Sequence, residues 1–492
     1  MKSAVKGDPF APIKLPVGFW VRVEMIEALE ARDFGAVFRL VRKYSGESQT
    51  RIGRLTGFDQ GKVSEIMRNL REIETLDVLL RVADGLQMPD SARHLVGLRS
   101  CQRGIANNST DAVELETGPA QIDDAPATFA ESWEGSALRA SELWRNDVQR
   151  RSFLAWTGSA FMVPAVKWLA DSPRSEVPAR HGGGDQLVGS PDVATVQEMT
   201  RTFQRLDNRY GGAHSRQLVL RYLNGDVAPM LTAGRFDAAT GAALFASAAE
   251  LARLAGWMAY DSGEHGAAQA HLIHALRLAK VADDQPLGAE ILAAMSHQAI
   301  YLKDPDTAIT LASAARKTAE DAHLPALAAE ACVSEAHGYA LRGDERACTR
   351  ALTAAEDALD RGDRAADPQF MEYFDAAYLS ARFGQCFSAL GRGEQTTRFA
   401  DRSLDMDMSY VRGRTFNLAL LAKGHVQQGE IERAAVVALE AAERTTEIRS
   451  ARAIDYVRDL DQALAGHSEN TAVREFRDFV AAQITAAHLP NA

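Results

Sequence analysis

Cysteine is scarce in this sequence. Its 492 residues include only Cys101, Cys332, Cys348 and Cys386, and no two of them form a CxxC pair. This excludes a disulfide framework and a cysteine-based zinc site. No run of about 18 uninterrupted apolar residues occurs, which argues against a transmembrane helix, and the first residues lack the apolar segment of a secretory signal. We therefore expect a cytoplasmic protein with no membrane partner.

Signatures of catalysis and cofactor binding are also missing. The segment Gly57–Val63 has one residue too few between its glycines for a P-loop, and no Ser or Thr follows Lys62. His271 and His274 lie one helical turn apart, but no third ligand or glutamate base accompanies them. No nucleophile elbow, kinase motif set or Rossmann glycine pattern occurs. We expect a protein that is not an enzyme and has no cofactor, catalytic residues or metal site.

The hydrophobic pattern predicts an all-α protein, because apolar residues recur at three- and four-residue spacing and no stretch alternates long enough for a strand. Residues 100–135 contain one arginine and seven acidic residues, which is typical of a solvated linker. A second connection, rich in proline and glycine, covers residues 171–192. We predict a DNA-binding domain at 1–99, an acidic linker at 100–135, a helical connecting region at 136–240 and a repeat domain at 241–492.

Positive charge is concentrated near the N-terminus. Eight basic and three acidic residues lie between Arg39 and Arg71, whereas the whole chain has a net charge of −11. In the same region, Ser48 and Asp59 are placed to cap two short helices that are separated by Gly57. A shared apolar seam, made by Ile52, Leu55, Phe58, Val63 and Ile66, leaves a polar face outward. This layout predicts a helix-turn-helix.

The order of residues in Ser48–Asn69 resembles the phage-repressor or XRE-like helix-turn-helix family. The resemblance implies that Gln49 contacts phosphate and that Gln60, Gly61 and Glu65 lie at base-reading positions. Gly61 departs from the pattern because it has no side chain, which leaves specificity to Lys62 and DNA shape. The predicted DNA-binding residues are Gln49, Gln60, Gly61, Lys62, Ser64, Glu65, Arg68 and Arg71. The alternatives are a four-helix protein-binding module with a solvated charged face and a helix-turn-helix that no longer binds DNA.

Internal repeats follow residue 240. Five segments align on turn residues at Gly263, Lys303, Gly343, Gly391 and Gly429, and small residues recur at fixed offsets from each turn. The pattern resembles the tetratricopeptide repeat, a pair of antiparallel helices that stacks into a superhelix. The spacings of 40, 40, 48 and 38 residues exceed the roughly 34 of the standard repeat. We therefore expect a solenoid with extended helices or loops.

In that architecture the first helix of each pair faces a concave groove. Glu250, Glu290 and Glu330 recur every 40 residues, and Trp257, His297 and His337 recur in the same phase. A groove lined by these residues favours a peptide or a cationic or aromatic small molecule as effector. The alternative for each position is that it packs against a neighbouring helix or is hydrated. The predicted groove residues are Glu250, Arg253, Trp257, Tyr260, Glu290, His297, Tyr301, Glu330, His337, Tyr378, Gln385, Phe416 and Lys423.

Over nearly its full length the chain resembles actinobacterial regulators that join an XRE-like N-terminus to a repeat-rich C-terminus, and it is similar in architecture to the peptide-responsive RRNPP group. That group often clamps peptides with groove asparagines, and the five repeats here offer little beyond Asn417. The resemblance implies a homodimeric, ligand-gated transcriptional regulator that binds an inverted repeat in double-stranded DNA. The competing hypothesis is a repeat scaffold that captures a protein partner and uses its N-terminal module only for docking.

Overall fold

The computed structural model describes residues 13, 15–16, 19–30, 33–68, 70, 73, 76–86, 88, 92, 132–148, 159–170, 186–360 and 367–485. Within these ranges the regular structure is helical, and the one β-bridge is an isolated pairing of Leu187 with Arg235. The all-α prediction is therefore confirmed. None of the described helices is both long and apolar enough to cross a membrane. The chain divides into two compact units, residues 1–120 and 121–492.

Among the described residues of the N-terminal unit, the structure gives the bounds of these α-helices: α1 (Val23–Glu30), α2 (Phe34–Ser45), α3 (Gln49–Thr56), α4 (Gln60–Met67) and α5 (Leu76–Gly85). The predicted caps are present. The Ser48 side chain accepts a hydrogen bond from the backbone N–H of Arg51, and the Asp59 side chain accepts one from that of Lys62. These bonds satisfy amides that the first turn of a helix leaves unpaired.

A tight turn joins α3 to α4. Gly57 ends α3 at a φ of 74°, a left-handed conformation that strongly favours glycine. Gly53 permits the close approach of the turn, because a Cβ at this position would lie 2.5 Å from the carbonyl oxygen of Phe58. Ile52, Val63 and Ile66 are fully buried beneath the pair. The two helices therefore share one apolar seam and one outward face.

The larger unit begins with helices that do not belong to the aligned repeats. The structure has α6 at Trp133–Val148, α7 at Ser159–Ala170, α8 at Ser190–Tyr210, α9 at Gly212–Tyr222 and α10 at Ala228–Ala233. Helix α6 thus starts within the predicted acidic linker, of which residues 100–131 lie outside the described residues. Most of the connection predicted at 171–192 also lies outside them, and α8 begins near its end.

Ten helices follow as five antiparallel pairs. They are α11 (Ala238–Asp261), α12 (His265–Ala282), α13 (Gln285–Tyr301), α14 (Pro305–Asp321), α15 (Pro325–Leu341), α16 (Glu345–Asp360), α17 (Ala376–Ala389), α18 (Gly393–Ser403), α19 (Val411–Gln428) and α20 (Ile431–Thr445). The chain then forms α21 (Ala451–Leu464) and α22 (Thr471–Phe479). Each predicted turn residue has a positive φ: Gly263 79°, Lys303 59°, Gly343 74°, Gly391 71° and Gly429 75°. The turns of the five segments are therefore where the alignment predicts them.

Alternate helices contact each other in succession, from α11 through α13, α15, α17 and α19 to α21. These six are called the inner helices below. The helices that precede the repeats also contact those that end them. Arg412 of α19 donates two hydrogen bonds to the carboxylate of Asp207 of α8, at 2.9 and 2.7 Å. Ser450, before α21, donates to Asp261 at the end of α11. These contacts close the larger unit on itself around its inner helices.

Candidate functional site

The first candidate site is the outward face of α3 and α4. Gln60, Gly61, Lys62, Glu65 and Arg68 are exposed along α4. Their exposure follows from the helical period, because the intervening Val63 and Ile66 face the core. The face therefore offers amide, ammonium, carboxylate and guanidinium groups on one short helix.

Local contacts hold part of this face in place. Lys62 Nζ lies 3.0 Å from Asp59, and Arg68 donates a 2.7 Å hydrogen bond to the Ser64 hydroxyl. Gln49 is half-buried and its amide points to the Met67 sulfur at 3.4 Å. Exposed ion pairs of this kind contribute little to stability, so Lys62 can exchange Asp59 for a phosphate. Arg71, the remaining predicted residue, lies outside the described side chains.

The second candidate site is a cavity of about 730 Å³ at the centre of the larger unit. Its wall combines residues from the inner helices α11, α13, α15, α17, α19 and α21. Seven of the predicted groove residues line it: Tyr260, His297, Tyr301, His337, Gln385, Phe416 and Lys423. The repeat phase thus identified residues from five separate helices that meet at one cavity of the size that small-molecule sites have.

Part of the cavity wall is made of aromatic side chains that contact one another and helix α21. The Tyr260 and Tyr301 rings pack edge to face at 5.4 Å between centroids. The guanidinium of Arg452 lies 4.2 Å from the centroid of Tyr260 and 4.7 Å from that of Phe416. The Tyr301 hydroxyl donates a 2.6 Å hydrogen bond to Asp455 of α21. Helix α21 therefore forms the cavity wall together with α11 and α13.

The charged groups of the cavity wall are mainly cationic. Lys303, Arg382, Lys423 and Arg458 line it, against the carboxylates Asp455 and Asp459. Of these six charged residues, the sequence analysis predicted only Lys423 as a groove residue.

Two histidines also line the cavity, and both are held neutral. Burial lowers the pKa of His297 well below its usual value, and the nearby Arg382 and Arg452 lower it further. Burial also lowers the pKa of His337 well below the usual value, with Arg382 and Lys303 adding to the effect. Near pH 7 the imidazoles therefore add hydrogen-bonding capacity but no charge.

The recurring glutamates lie elsewhere, which corrects the expectation that carboxylates wall the groove. Glu290 and Glu330 are buried and do not line the cavity. Arg253 donates to Glu290 at 3.0 Å, and the Tyr373 hydroxyl donates to Glu330 at 2.6 Å while lying 3.2 Å from Glu290. Tyr378 also donates to Glu330, at 3.1 Å. Their partners are side chains of the fold, so these carboxylates are not available to a ligand in the cavity.

Glu250 and Trp257 complete the predicted groove residues and also lie outside the cavity wall. Trp257 packs edge to face on His297, with 5.2 Å between ring centroids. Glu250 is half-buried, and burial raises its pKa above the usual value. Trp257 therefore packs against a cavity residue without lining the cavity itself, and Glu250 does not contribute to the site.

Asn417 does not serve as a groove clamp. Its side-chain amide donates a 3.0 Å hydrogen bond to the backbone carbonyl of Ser403, and the residue is buried. The group that could hold a peptide backbone is therefore used within the fold.

Arg382 and the residues of α21 were missed by the sequence reasoning. Arg382 lies nine residues before its turn glycine, where the other segments have Leu254, Ala294, Ser334 and Leu420. That departure from small or apolar residues was a signal in the alignment. The residues of α21 had no such signal, because this helix follows the last aligned segment.

Comparison of the chain with protein-family models, curated proteins and solved structures finds no match.

Proposed function

We propose that this protein is a DNA-binding transcriptional regulator whose N-terminal helix-turn-helix binds an operator and whose tetratricopeptide-like body senses a ligand. The observation that carries the proposal is the α3–α4 pair, with both caps formed, a glycine turn and an exposed polar face on α4. In a helix-turn-helix the second helix enters the major groove and its exposed side chains contact bases and phosphates.

The chemistry of α4 suits this role. The amide of Gln60 can pair with adenine, and Glu65 can accept from the amine of cytosine. Lys62 and Arg68 supply cations for the phosphates on either side. The local excess of positive charge on an acidic chain favours an anionic partner at this place rather than over the whole surface.

The body supports the sensing role through its central cavity, which touches every inner helix from α11 to α21. A ligand there would contact the first and last repeats together, so its binding would favour one curvature of the body. We infer that the regulator acts as a homodimer on paired half-sites, because one helix-turn-helix covers too little DNA for high specificity. Light scattering of the full chain tests the dimer, and a monomer at micromolar concentration would count against it.

The DNA-binding role is tested by selecting preferred sites from random duplexes and measuring affinity by fluorescence anisotropy over a range of salt concentrations. Gln60→Ala should cost about 1 to 3 kcal/mol at the preferred site and relax the sequence preference. Lys62→Ala and Arg68→Ala should weaken binding to all duplexes and reduce its salt dependence.

The matched control is Arg398→Ala, which removes an exposed arginine from α18 of the body. It should leave DNA affinity unchanged. If wild-type protein shows no salt-dependent binding to any duplex, or if the α4 variants bind as the wild type does, the proposal is wrong and the docking scaffold becomes the better hypothesis.

A further inference from the structure

The central cavity contains a buried cation that the protein leaves without a counterion. Arg382 is only 2% exposed. Its guanidinium donates to Gln385 at 2.9 Å and to Ser334 at 3.2 Å, and both acceptors are neutral. No described carboxylate forms an ion pair with it, and its Nε has no hydrogen-bond partner among the described residues. Because buried charges in proteins are normally paired, this arrangement indicates a missing anion.

Other groups in the wall point to the same chemistry. The buried Nδ1 of His337 has no hydrogen-bond partner among the described residues. Lys303 and Lys423 are exposed at the wall and form no ion pair with a described residue. The three unpaired cations come from three different elements, the turn after α13, helix α17 and helix α19. They therefore meet only because the inner helices surround one cavity.

Two of these cations also break the repeat pattern at a cost to the fold. Lys303 adopts a φ of 59° at a turn position where the other four segments have glycine. A left-handed conformation costs a non-glycine residue roughly 1 kcal/mol or more. Arg382 replaces the small or apolar residues found at its position in the other segments. Departures from local rules of this kind are expected where a site, and not the fold, selects the residue.

We propose that the cavity binds an amphipathic organic anion, whose carboxylate, sulfonate or phosphate group contacts Arg382, Lys303 and Lys423 while its apolar part packs on Tyr260, Tyr301 and Phe416. This inference rests on the proposed sensing role of the body and names the ligand class for it. It reverses the ligand charge that the recurring glutamates predicted. Aromatic rings and cations without a carboxylate partner line the same cavity, which selects against bare inorganic anions and against neutral apolar molecules alike.

The test uses a matched pair of fluorescent probes and the full chain without DNA. The anionic probe is 8-anilinonaphthalene-1-sulfonate, and N-phenyl-1-naphthylamine has the same ring system without the sulfonate. Wild-type protein should bind the sulfonate more tightly. Since a hydrogen bond to a charged group contributes 1.5 to 3 kcal/mol, Arg382→Met should weaken sulfonate binding by roughly ten- to a hundredfold. The affinity for the neutral probe should stay within about twofold on the same reasoning.

Lys423→Met provides a second variant that leaves the buried part of the fold intact, because this side chain is exposed at the wall. It should weaken sulfonate binding by a smaller factor. Arg398→Met, on the outer helix α18, removes an exposed arginine away from the cavity and should have no effect. Equal affinity of the wild type for both probes, or unchanged sulfonate affinity in both cavity variants, would overturn the proposal.

A small aromatic acid and the carboxyl end of a peptide present the same chemistry, so displacement of the sulfonate probe distinguishes them. N-acetylphenylalanine and N-acetyl-Ala-Ala-Phe are compared with their C-terminal amides. Stronger displacement by the acids supports the proposal, and the tighter of the two acids identifies the source. Displacement by the amides as strong as by the acids contradicts it. Because no DNA is present, failure here is distinguishable from failure of operator binding.

Discussion

Breaking the buried pair of Arg412 and Asp207 should strongly destabilise the larger unit, because it leaves a buried charge uncompensated. Both oxygens of Asp207 accept from the guanidinium, and Arg412 also lies 3.4 Å from Asp261. The carboxylate side chains are 3% and 1% exposed. Arg412→Met would leave both carboxylates buried with Arg452, 3.8 Å from Asp261, as the remaining cation among their described ion-pair partners. Removing one partner of a buried pair costs about 3 to 5 kcal/mol, a large part of the roughly 5 to 15 kcal/mol that stabilises a domain.

The loss should depend on pH in a defined direction. Burial raises the pKa of Asp207 above its usual value even with Arg412 in place, and removal of the guanidinium should raise it further. Between the unfolded and folded pKa values the unfolded state ionises first, so stability falls as pH rises. This range is wider in the variant. Arg412→Met should therefore destabilise the protein less at pH 5 than at pH 8.

Denaturant unfolding followed by circular dichroism measures both effects. The matched control is Arg392→Met, because Arg392 donates to both oxygens of Glu345 with similar geometry but about half of each side chain is exposed. An exposed pair is worth about 0 to 1 kcal/mol. The double variant Arg412→Met, Asp207→Asn should recover part of the lost stability. Equal losses from Arg412→Met and Arg392→Met would refute the reasoning.

Two further predictions concern a buried carboxylate and a close backbone approach. Burial and the adjacent Glu330 raise the pKa of Glu290 well above its usual value of 4.5, so this group lowers the free energy of unfolding as pH rises above its unfolded pKa. The free energy of unfolding of Glu290→Gln should therefore rise relative to the wild type by up to about 1.4 kcal/mol per pH unit. Denaturant unfolding from pH 5 to 8 checks this, and no such gain is expected for exposed Glu345→Gln. Gly53→Ala places a Cβ 2.5 Å from the carbonyl oxygen of Phe58 and should cost about 1 to 3 kcal/mol, measured by thermal unfolding, whereas exposed Gly61→Ala should change stability by less than about 1 kcal/mol. A Gly53→Ala variant as stable as the wild type would mean that the turn does not pack as described.

Features set by a few neighbouring residues were predictable from the sequence. Ser48 and Asp59 cap their helices because a short polar side chain can reach the amide three residues on, whatever the rest of the chain does. The positive φ at Gly391 and Gly429 follows equally from the chemistry of a helix end. Fixed offsets from such turns then gave the inner face of each pair.

Contacts between distant parts of the chain were not predictable in this way. Arg412 and Asp207 are separated by 205 residues. Whether they meet depends on the small rotation between successive pairs, accumulated over all five. The same accumulation brings Tyr456 and Asp455 of α21 to the cavity wall beside Tyr301. No local pattern gives that accumulated rotation, so periodicity could predict neither the closure of the unit nor the part of the cavity wall that α21 supplies.

The irregular spacing between the third and fourth turns explains why the recurring glutamates do not line the cavity. Gly343 and Gly391 are 48 residues apart instead of 40, and Tyr373 lies in the longer connection between α16 and α17. Its hydroxyl lies between Glu290 and Glu330 and hydrogen-bonds to both. Together with Arg253 it gives the two carboxylates partners within the fold, whereas Arg382 of α17 has only neutral partners, Gln385 and Ser334. The longer connection between α16 and α17, which departs from the regular repeat spacing, thus supplies a partner for the acidic residues outside the cavity, and the charged groups of the cavity wall are mainly cationic.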